Sequence, residues 1–451
     1  MALVFSLLIS FASLFSQERD ADSLALNKKK KKGFTFGAIP IVAYDTDIGL
    51  KYGIVANFYH YGDGSRYPFY NHSLFVRWYQ TTKGSGVNEL KYDSDQLIRG
   101  FRITASLAYH TEKALNFYGL NGYRAYYNPD FENSNNPDYI SEVFYRHERK
   151  VLRSSIDLQR NIYPNGLKLL MGLSYFKSEI GSVDLDKLNK GRSDEDLLPE
   201  VNGLYDLYAS WQVLPNNELT GGINYFVKSG FVLNSCDNES DPNKGIWSEA
   251  LVLFGPKSFG FDKTTAIVSL QHKHYISIIK ERLKFAYRLG YQTKISGSIP
   301  FYLMPYLVDS RNTYDAFGGA KTLRGILRNR IVGNGTAYGN FEFRSKVFET
   351  VVARQNFYIA LNMFTDAARV VDPYHLNLQN VPNEYLQWFN NEPEAWHISY
   401  GAGIRLVLNQ NFVAALDYGM ALKQQDGKMA FMLVWIFCFR IVFIPSLFKI
   451  L

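Results

Sequence analysis

The run Phe317-Gly-Gly-Ala-Lys-Thr-Leu-Arg-Gly-Ile326 is the most informative part of the sequence, because it combines three glycines with a single arginine, Arg324. Two segments of alternating polar and apolar residues follow it and carry the carboxylates Glu342 and Asp366. An arginine held away from bulk water is costly unless carboxylates pair with it. The combination therefore predicts a glycine-hinged loop that folds inward and is fixed by Arg324, Glu342 and Asp366.

Alternation with the period of a β-strand recurs along the chain, where a helix would need a period of 3.6. Residues 101–110, 152–162 and 283–295 each place apolar side chains on one face and polar or charged side chains on the other. A soluble sandwich also alternates, but its faces rarely oppose so many long charged side chains. The pattern favours a barrel wall with lipid on one side and water on the other.

The composition is typical of such a barrel. Of the 451 residues, 32 are Tyr and 33 are Phe, yet only 47% are hydrophobic and the mean hydropathy is −0.18. Aromatic girdles around an alternating wall produce this mixture. We therefore predict an all-β fold, a single transmembrane antiparallel β-barrel of about 16 strands with an inward-folded loop. The net charge of +7 is too diffuse to indicate a nucleic-acid partner.

Turn signals divide the chain into about seventeen candidate strands, one more than an even-stranded barrel allows. One early assignment therefore has to be wrong. Residues 203–213 are among the candidates. The segments 121–139 and 184–201 are polar and contain Asn, Asp, Pro or Gly. They are predicted to be long external loops.

The N-terminal residues are predicted to be a signal peptide followed by a linker. Residues 1–16 are apolar and uncharged, which predicts a secretory signal peptide, with a buried N-terminal helix as the alternative. Residues 17–32, including the lysine run, are interpreted as a solvated periplasmic linker, and residues 33–437 as the outer-membrane barrel. Cys236 and Cys438 supply no disulfide framework.

The C-terminal segment stops alternating after residue 431, and residues 438–451 form an aberrant tail. Restoring one T after Phe431 gives a frame that can read Tyr-Val-Gly-Leu-Asp-Phe-Leu-Phe and then stop. That octapeptide alternates and ends in an aromatic residue, as a closing strand should. A frameshift is therefore the hypothesis, and a genuine apolar helix interrupted by Arg440 is the alternative.

The sequence gives little support to metal binding or to catalysis. His272 and His274 have the i, i+2 spacing that could bring two imidazoles to one metal, but no third ligand is close in sequence. Motifs for a nucleophile elbow, a zinc protease or a phosphate-binding loop are lacking. We expect no metal, no cofactor and no enzymatic activity.

The central motif resembles the sixth-loop motif of the BamA/TamA-type outer-membrane insertase superfamily, also called the bacterial surface antigen family. The residues that carry the resemblance are Gly318, Gly319, Leu323, Arg324, Gly325 and Ile326. The segments around Glu342 and Asp366 are similar to the two acid-bearing strands of the family, and Cys236-Asp-Asn-Glu239 to its Asp-rich hairpin. The chain departs from the family in having no POTRA repeats before the barrel and Ala368 in place of a glycine.

The resemblance implies a location in the bacterial outer membrane and two alternative functions. The first is insertion or export of outer-membrane proteins through a lateral seam between the first and last strands. Its partners would be outer-membrane lipids, client outer-membrane proteins and separate periplasmic factors. The second is a plugged passive pore or structural barrel, since a salt-bridged loop stabilises a barrel whether or not anything is transported. The inward parity of Lys284, Arg288, Arg344 and Arg405 predicts that any conducting path prefers anions.

Overall fold

The computed structural model describes residues 31–436, except for positions 46–48, 68, 164–165, 239–241, 281, 316, 320–321, 353–354, 409–411 and 428. Sixteen strands form one sheet in which each strand pairs antiparallel with the next along the chain. In chain order these strands are β1 Phe34–Asp45, β2 Gly49–His60, β3 His72–Thr81, β4 Gly86–Ile98, β5 Phe101–Asn116, β6 Arg146–Tyr163, β7 Leu167–Gly181, β8 Gly221–Asn234, β9 Gly245–Gly255, β10 Thr265–Ile279, β11 Leu283–Ser296, β14 Gly335–Val352, β15 Gln355–Asp372, β16 His397–Leu408, β17 Phe412–Ala421 and β18 Met429–Ile436. Two short strands, β12 Tyr306–Val308 and β13 Thr313–Asp315, form a separate hairpin inside the loop between β11 and β14.

Alternation along the strands separates an apolar outer face from a polar inner face. On β14, Phe341 is 40% exposed and Phe343 is 37% exposed, whereas Glu342 between them is only 8% exposed. The inner faces of fourteen strands border one common cavity of about 1480 Å³. The sheet therefore curves into a barrel, and the predicted all-β fold with 16 strands is confirmed.

The two ends of the barrel differ in the length of their connections. The long segments 117–145, 182–220, 297–334 and 373–396 all lie at one end, which we call the long-loop end. The opposite end, which we call the short-turn end, carries brief connections such as 99–100. The first strand, β1, begins at this end, and the last strand, β18, finishes there. In outer-membrane barrels the long loops are extracellular and the short turns are periplasmic.

One predicted strand is wrong. Residues 203–213 contain the helix α2, Leu204–Ser210, which lies in a long-loop segment together with α1, Leu185–Asn189, and α3, Asn216–Leu219. The backbone N–H of Gly203 donates to Asp206 at 2.9 Å, a contact that fixes the first turn of α2. Leu204, Tyr205 and Tyr208 are buried against the other loops, so packing of one helical face overrides the short alternating pattern. None of the helices in the described part of the chain is long and apolar enough to cross a bilayer.

The long loops pack on one another and close their end of the barrel. Tyr208 of α2, Phe144 and Phe389 come from three different loops and belong to one apolar cluster. Arg330 joins the loops by polar contacts, since it donates to the carbonyl oxygens of Gly122, Ala125 and Gln425 at 3.0, 3.2 and 2.8 Å. Its side chain is fully buried. We call this assembly of loops the cap.

The chain enters β1 in contact with the short-turn end. Gly33 donates its backbone N–H to the carbonyl of Gly62 at 2.8 Å, and the ammonium of Lys31 lies 5.8 Å from the centre of the Tyr61 ring. Lys31 is only 6% exposed, so the last part of the predicted solvated linker is packed against the barrel. The predicted signal peptide and the aberrant tail of residues 438–451 lie outside the described residues.

The first and last strands, β1 and β18, are the two edges of the sheet, and we call the boundary between them the seam. Within the described ranges, β1 pairs only with β2 and β18 pairs only with β17, so no backbone ladder joins β1 to β18. Pro40 lies inside β1, opposite Ile54, in a register with β2 that has no irregularity. Since proline has no N–H, an unbroken register places its nitrogen on the open edge of β1. The seam edge of β1 therefore lacks one donor.

Candidate functional site: the loop latch

The segment between β11 and β14 folds back into the barrel and ends in a tight turn that carries the motif. Gly319 donates its N–H to the carbonyl of Ile326 at 2.8 Å, and the Thr322 hydroxyl donates to the carbonyl of Gly318 at 2.9 Å. Gly318 has a φ of 99°, and a Cβ there would lie 1.9 Å from the carbonyl oxygen of Leu327. Only glycine fits this position without strain.

The turn touches the barrel wall through backbone contact with β17. Gly325 has a φ of 85°, and a Cβ on it would come within 2.7 Å of the backbone of Gly419 and Met420. A Cβ on Gly419 would in turn lie 2.8 Å from the nitrogen of Gly325. Two glycines therefore let the loop lie directly on the strand that pairs with β18.

Arg324 binds both predicted carboxylates inside the barrel. Its Nε and Nη2 donate to the two oxygens of Asp366, each at 2.9 Å, and its Nη1 donates to Glu342 Oε2 at 2.9 Å. The backbone N–H of Arg324 adds a third hydrogen bond to Asp366 at 2.9 Å. The structure thus brings together the three residues that the sequence singled out, in the bidentate geometry that suits arginine and a carboxylate.

Further charged residues complete this cluster, which we call the latch. Arg324 Nη1 lies 3.6 Å from Asp417 of β17, and Asp417 accepts from Arg405 Nη1 at 2.6 Å. Glu342 accepts from Arg344 Nε at 2.8 Å. Three arginines and three carboxylates therefore face one another across β14, β15, β16 and β17. Sequence reasoning missed Asp417, although it is the only charged residue of β17.

The surroundings of Arg324 keep it charged. Burial acts to lower the pKa of the guanidinium, but Asp366, Glu342 and Asp417 outweigh burial and hold the pKa above its ordinary value. The guanidinium carbon also lies 3.6 Å from the centre of the Phe364 ring, within the range of a cation–π contact. The side chain of Asp366 is completely buried. Arg324 is therefore a permanent cation at the centre of the latch.

Apolar residues of the motif anchor the same turn. Leu323 is completely buried and Ile326 is 3% exposed, and both pack with Phe317, Tyr338 and Ala368. Ala368 is completely buried, and its methyl group fills part of this core.

A second ion cluster fixes Asp315 and Arg328 of the inward loop to strands β5 and β6, across the lumen from the latch. Arg149 of β6 donates from Nη1 to Asp315 of β13 at 3.1 Å and from Nε to Glu112 of β5 at 2.9 Å. Arg328 lies 2.7 Å from Glu112 and 3.1 Å from Asp315. The loop thus spans the lumen between β5 and β6 on one side and β14 to β17 on the other. The sequence contains no local signal for this second anchor, because its four residues come from three distant segments.

His272 and His274 are paired with neighbours on the wall. Ring nitrogen Nδ1 of His272 lies 2.8 Å from the Ser248 hydroxyl, and Nδ1 of His274 lies 3.2 Å from the Tyr287 hydroxyl. Within the part of the chain that the structure describes, no group of three or more potential ligands is placed to hold a metal ion. These histidines contribute polar groups to an aromatic region of the wall.

The lumen beside the latch is charged and carries more cations than anions. Among the described residues that line the cavity, fourteen are Lys or Arg and nine are Asp or Glu. Lys284, Arg288, Arg344 and Arg405, all expected on the inner face, are among them. This arrangement can hold a loop and attract anions.

Comparison with known proteins supports the fold. No family model matches the chain, and no curated protein matches it. Among solved structures, it is similar to BamA from Haemophilus ducreyi lacking POTRA domains 1–3, with a TM-score of 0.52 and 15% identity over 90% of this chain and 70% of that chain. It is also similar to CdiB from Escherichia coli, with a TM-score of 0.51 and 10% identity over 87% of this chain and 60% of that chain.

An apolar outer wall, a charged lumen and an antiparallel sheet of 16 strands define a bacterial outer-membrane β-barrel. Its fold is similar to that of the BamA barrel, and the sixth connection at its long-loop end, residues 297–334, folds inward. At these identities the likeness establishes the fold, and function has to be argued from the residues.

Proposed function

We propose that this barrel inserts or exports outer-membrane proteins through the seam between β1 and β18. The observation that carries the proposal is the contrast between the two sides of that seam. On one side, the latch binds β14, β15, β16 and β17 into one unit. On the other, β1 has an open edge that lacks a donor at Pro40. The strands of the barrel are therefore held together least strongly at the seam.

A weakly paired seam of this kind suits protein insertion, because insertion requires no covalent chemistry. An unpaired strand edge is a template on which another strand can form a ladder of backbone hydrogen bonds. A client strand that pairs with β1 would have its polar backbone groups satisfied while it enters the bilayer. The partners of this function are outer-membrane lipids, client proteins and periplasmic factors that deliver the clients.

A plugged passive pore is the second candidate, and a specific observation favours it. The loop crosses the lumen between two ion clusters, and the cap covers the extracellular end. A barrel filled in this way would be stable and poorly conducting with no client at all. The two candidates differ in what a cell loses when the chain is removed.

Depletion of the chain followed by quantitative proteomics of the outer membrane tests the proposal. Insertion predicts that several unrelated barrels decrease together in the membrane. A passive pore predicts that the other barrels are unchanged and that uptake of one solute class falls. Complementation with an Arg324→Ala variant, matched for abundance, should fail to restore the client barrels.

A further inference from the structure

Arg153 of β6 lines the cavity but has no carboxylate opposite it in the sheet. Its in-register neighbours are Ala108 on β5 and Phe176 on β7. Arg77 on β3 shows the opposite arrangement, since Glu89 is in register with it on β4 and its carboxylate lies 2.6 Å from the Arg77 guanidinium. Neither a methyl group nor a phenyl ring neutralises a guanidinium. The strands on either side of Arg153 therefore leave its charge uncompensated.

The second ion cluster does not supply the missing partner. Its two carboxylates already pair with Arg149 and Arg328. Arg153 adjoins this cluster, since the guanidinium carbons of Arg149 and Arg153 lie 5.6 and 5.8 Å from the centre of the Tyr306 ring. Within the described ranges, no carboxylate lies at ion-pair distance from Arg153. Three arginines and two carboxylates therefore leave one cation in excess.

Two buried nitrogens at this point of the wall have no hydrogen-bond partner among the described residues. One is Nη1 of Arg153, and the other is Nε2 of His110, whose side chain belongs to a residue only 5% exposed. His110 is two positions from Ala108 on β5, so it is the diagonal neighbour of Arg153 on the inner face. Diagonal neighbours are within reach of long side chains. Because buried polar groups left unpaired cost free energy, a bound group that accepts hydrogen bonds would stabilise this part of the wall.

A row of small hydroxyl side chains adjoins Arg153 on the inner face. Ser106, Ser155 and Ser174 are in register across β5, β6 and β7, and all three line the cavity. The hydroxyl oxygens of Ser106 and Ser155 lie 2.8 Å apart. Such short side chains leave room for a small solute beside the guanidinium. A planar guanidinium suits the oxygens of a carboxylate or a phosphate, and hydroxyl groups can donate to either.

We propose that Arg153, with the row Ser106, Ser155 and Ser174 beside it, forms a site in the lumen that binds the oxyanion group of a small solute, a carboxylate or a phosphate. The side chains point into the lumen, so lipid headgroups outside the wall cannot reach them. The site lies on β5, β6 and β7, whereas the latch lies on β14 to β17. Binding there does not depend on protein insertion at the seam.

The test uses the full chain, purified and placed in nanodiscs of neutral lipid. Isothermal titration calorimetry measures binding of inorganic phosphate and of succinate, with succinamide as a neutral compound of similar size. Arg153→Gln removes the charge. Ala108→Glu keeps the arginine but places a carboxylate opposite it, as Glu89 stands opposite Arg77. Arg282→Gln, which removes an exposed cation that lines another part of the cavity, is the control.

We expect phosphate or succinate to bind and succinamide not to bind. Arg153→Gln and Ala108→Glu should each weaken binding at least about tenfold, while Arg282→Gln leaves it unchanged. Failure of both anions to bind the wild-type chain would overturn the proposal, and so would equal binding of succinamide and succinate. An Arg282→Gln variant that loses as much affinity as Arg153→Gln would also overturn it, because the anions would then respond only to the overall charge of the lumen.

Discussion

At the scale of single residues, the latch depends on the geometry of one guanidinium. Arg324→Ala would leave Asp366, Glu342 and Asp417 in the lumen without their shared cation. Loss of one partner from a buried ion cluster costs about 3–5 kcal/mol. We expect faster cleavage of the inward loop by trypsin and a lower thermal midpoint of the barrel.

Arg324→Lys is the matched control for this variant. Lysine keeps the positive charge but cannot make the bidentate contact with Asp366. An intermediate cleavage rate is therefore expected. Wild-type protease resistance in the alanine variant would contradict the role given to the latch.

Only part of this site could be predicted from the local sequence. Arg324, Glu342 and Asp366 could be singled out because each stands as a charge inside an otherwise apolar or alternating segment. Asp417 carries the same signal in β17 and was overlooked. The second anchor between Arg149 and Asp315 could not be predicted, since it depends on how far the loop reaches across the lumen.

At the scale of elements, the strands follow from periodicity, and the one failure has a physical cause. Residues 203–213 alternate weakly, but their apolar side chains can also be buried along one face of a short helix. Packing against the other loops of the cap decides in favour of α2, and that packing involves segments far apart in sequence. Short apolar segments are therefore ambiguous in a chain whose long loops have their own core.

The edge of β1 provides a test of the seam. Pro40→Ala restores one backbone donor on the open edge, and a hydrogen bond made there would contribute about 0.5–1.5 kcal/mol. We expect a higher thermal midpoint and slower insertion of clients. Pro256→Ala, in an extracellular turn, is the control and should change neither. If the Pro40→Ala variant has a higher thermal midpoint but inserts clients at the wild-type rate, the open edge of β1 plays no part in insertion.

The cap should respond to pH through Glu218 of α3. This carboxylate is buried and accepts from the backbone N–H of Phe301 at 2.8 Å and the Tyr374 hydroxyl at 3.3 Å. Burial is the main reason that its pKa is raised above the ordinary value. The folded state therefore binds more protons than the unfolded state between the two pKa values, so stability falls as pH rises through that window.

The measurement is the thermal midpoint between pH 5 and pH 8. Relative to a Glu218→Gln variant, the wild-type protein should lose stability as pH increases. Glu200→Gln, at an exposed loop position, should behave as the wild type does. Parallel pH profiles for the wild type and the Glu218→Gln variant would show that Glu218 does not titrate as described.

At the scale of the whole molecule, the charge of the lumen predicts ion selectivity. Fourteen basic and nine acidic side chains line the described part of the cavity, so any current should be carried mainly by anions. Reversal potentials across a planar bilayer with a KCl gradient measure this preference. Lys284→Glu should shift the reversal potential toward cations, whereas Lys190→Glu outside the lumen should not. Cation selectivity of the wild-type barrel would contradict the prediction.

Reconstitution from purified components shows whether the folded barrel inserts other outer-membrane proteins. The purified chain is placed in liposomes, a small urea-unfolded outer-membrane barrel is added, and its folding is followed by gel mobility. We expect the wild-type chain to accelerate folding of the client, and the Arg324→Ala variant, at equal abundance in the liposomes, to do so much less. A client that folds equally fast with and without the chain, in liposomes that the chain renders permeable to small solutes, would contradict insertion and favour the passive pore.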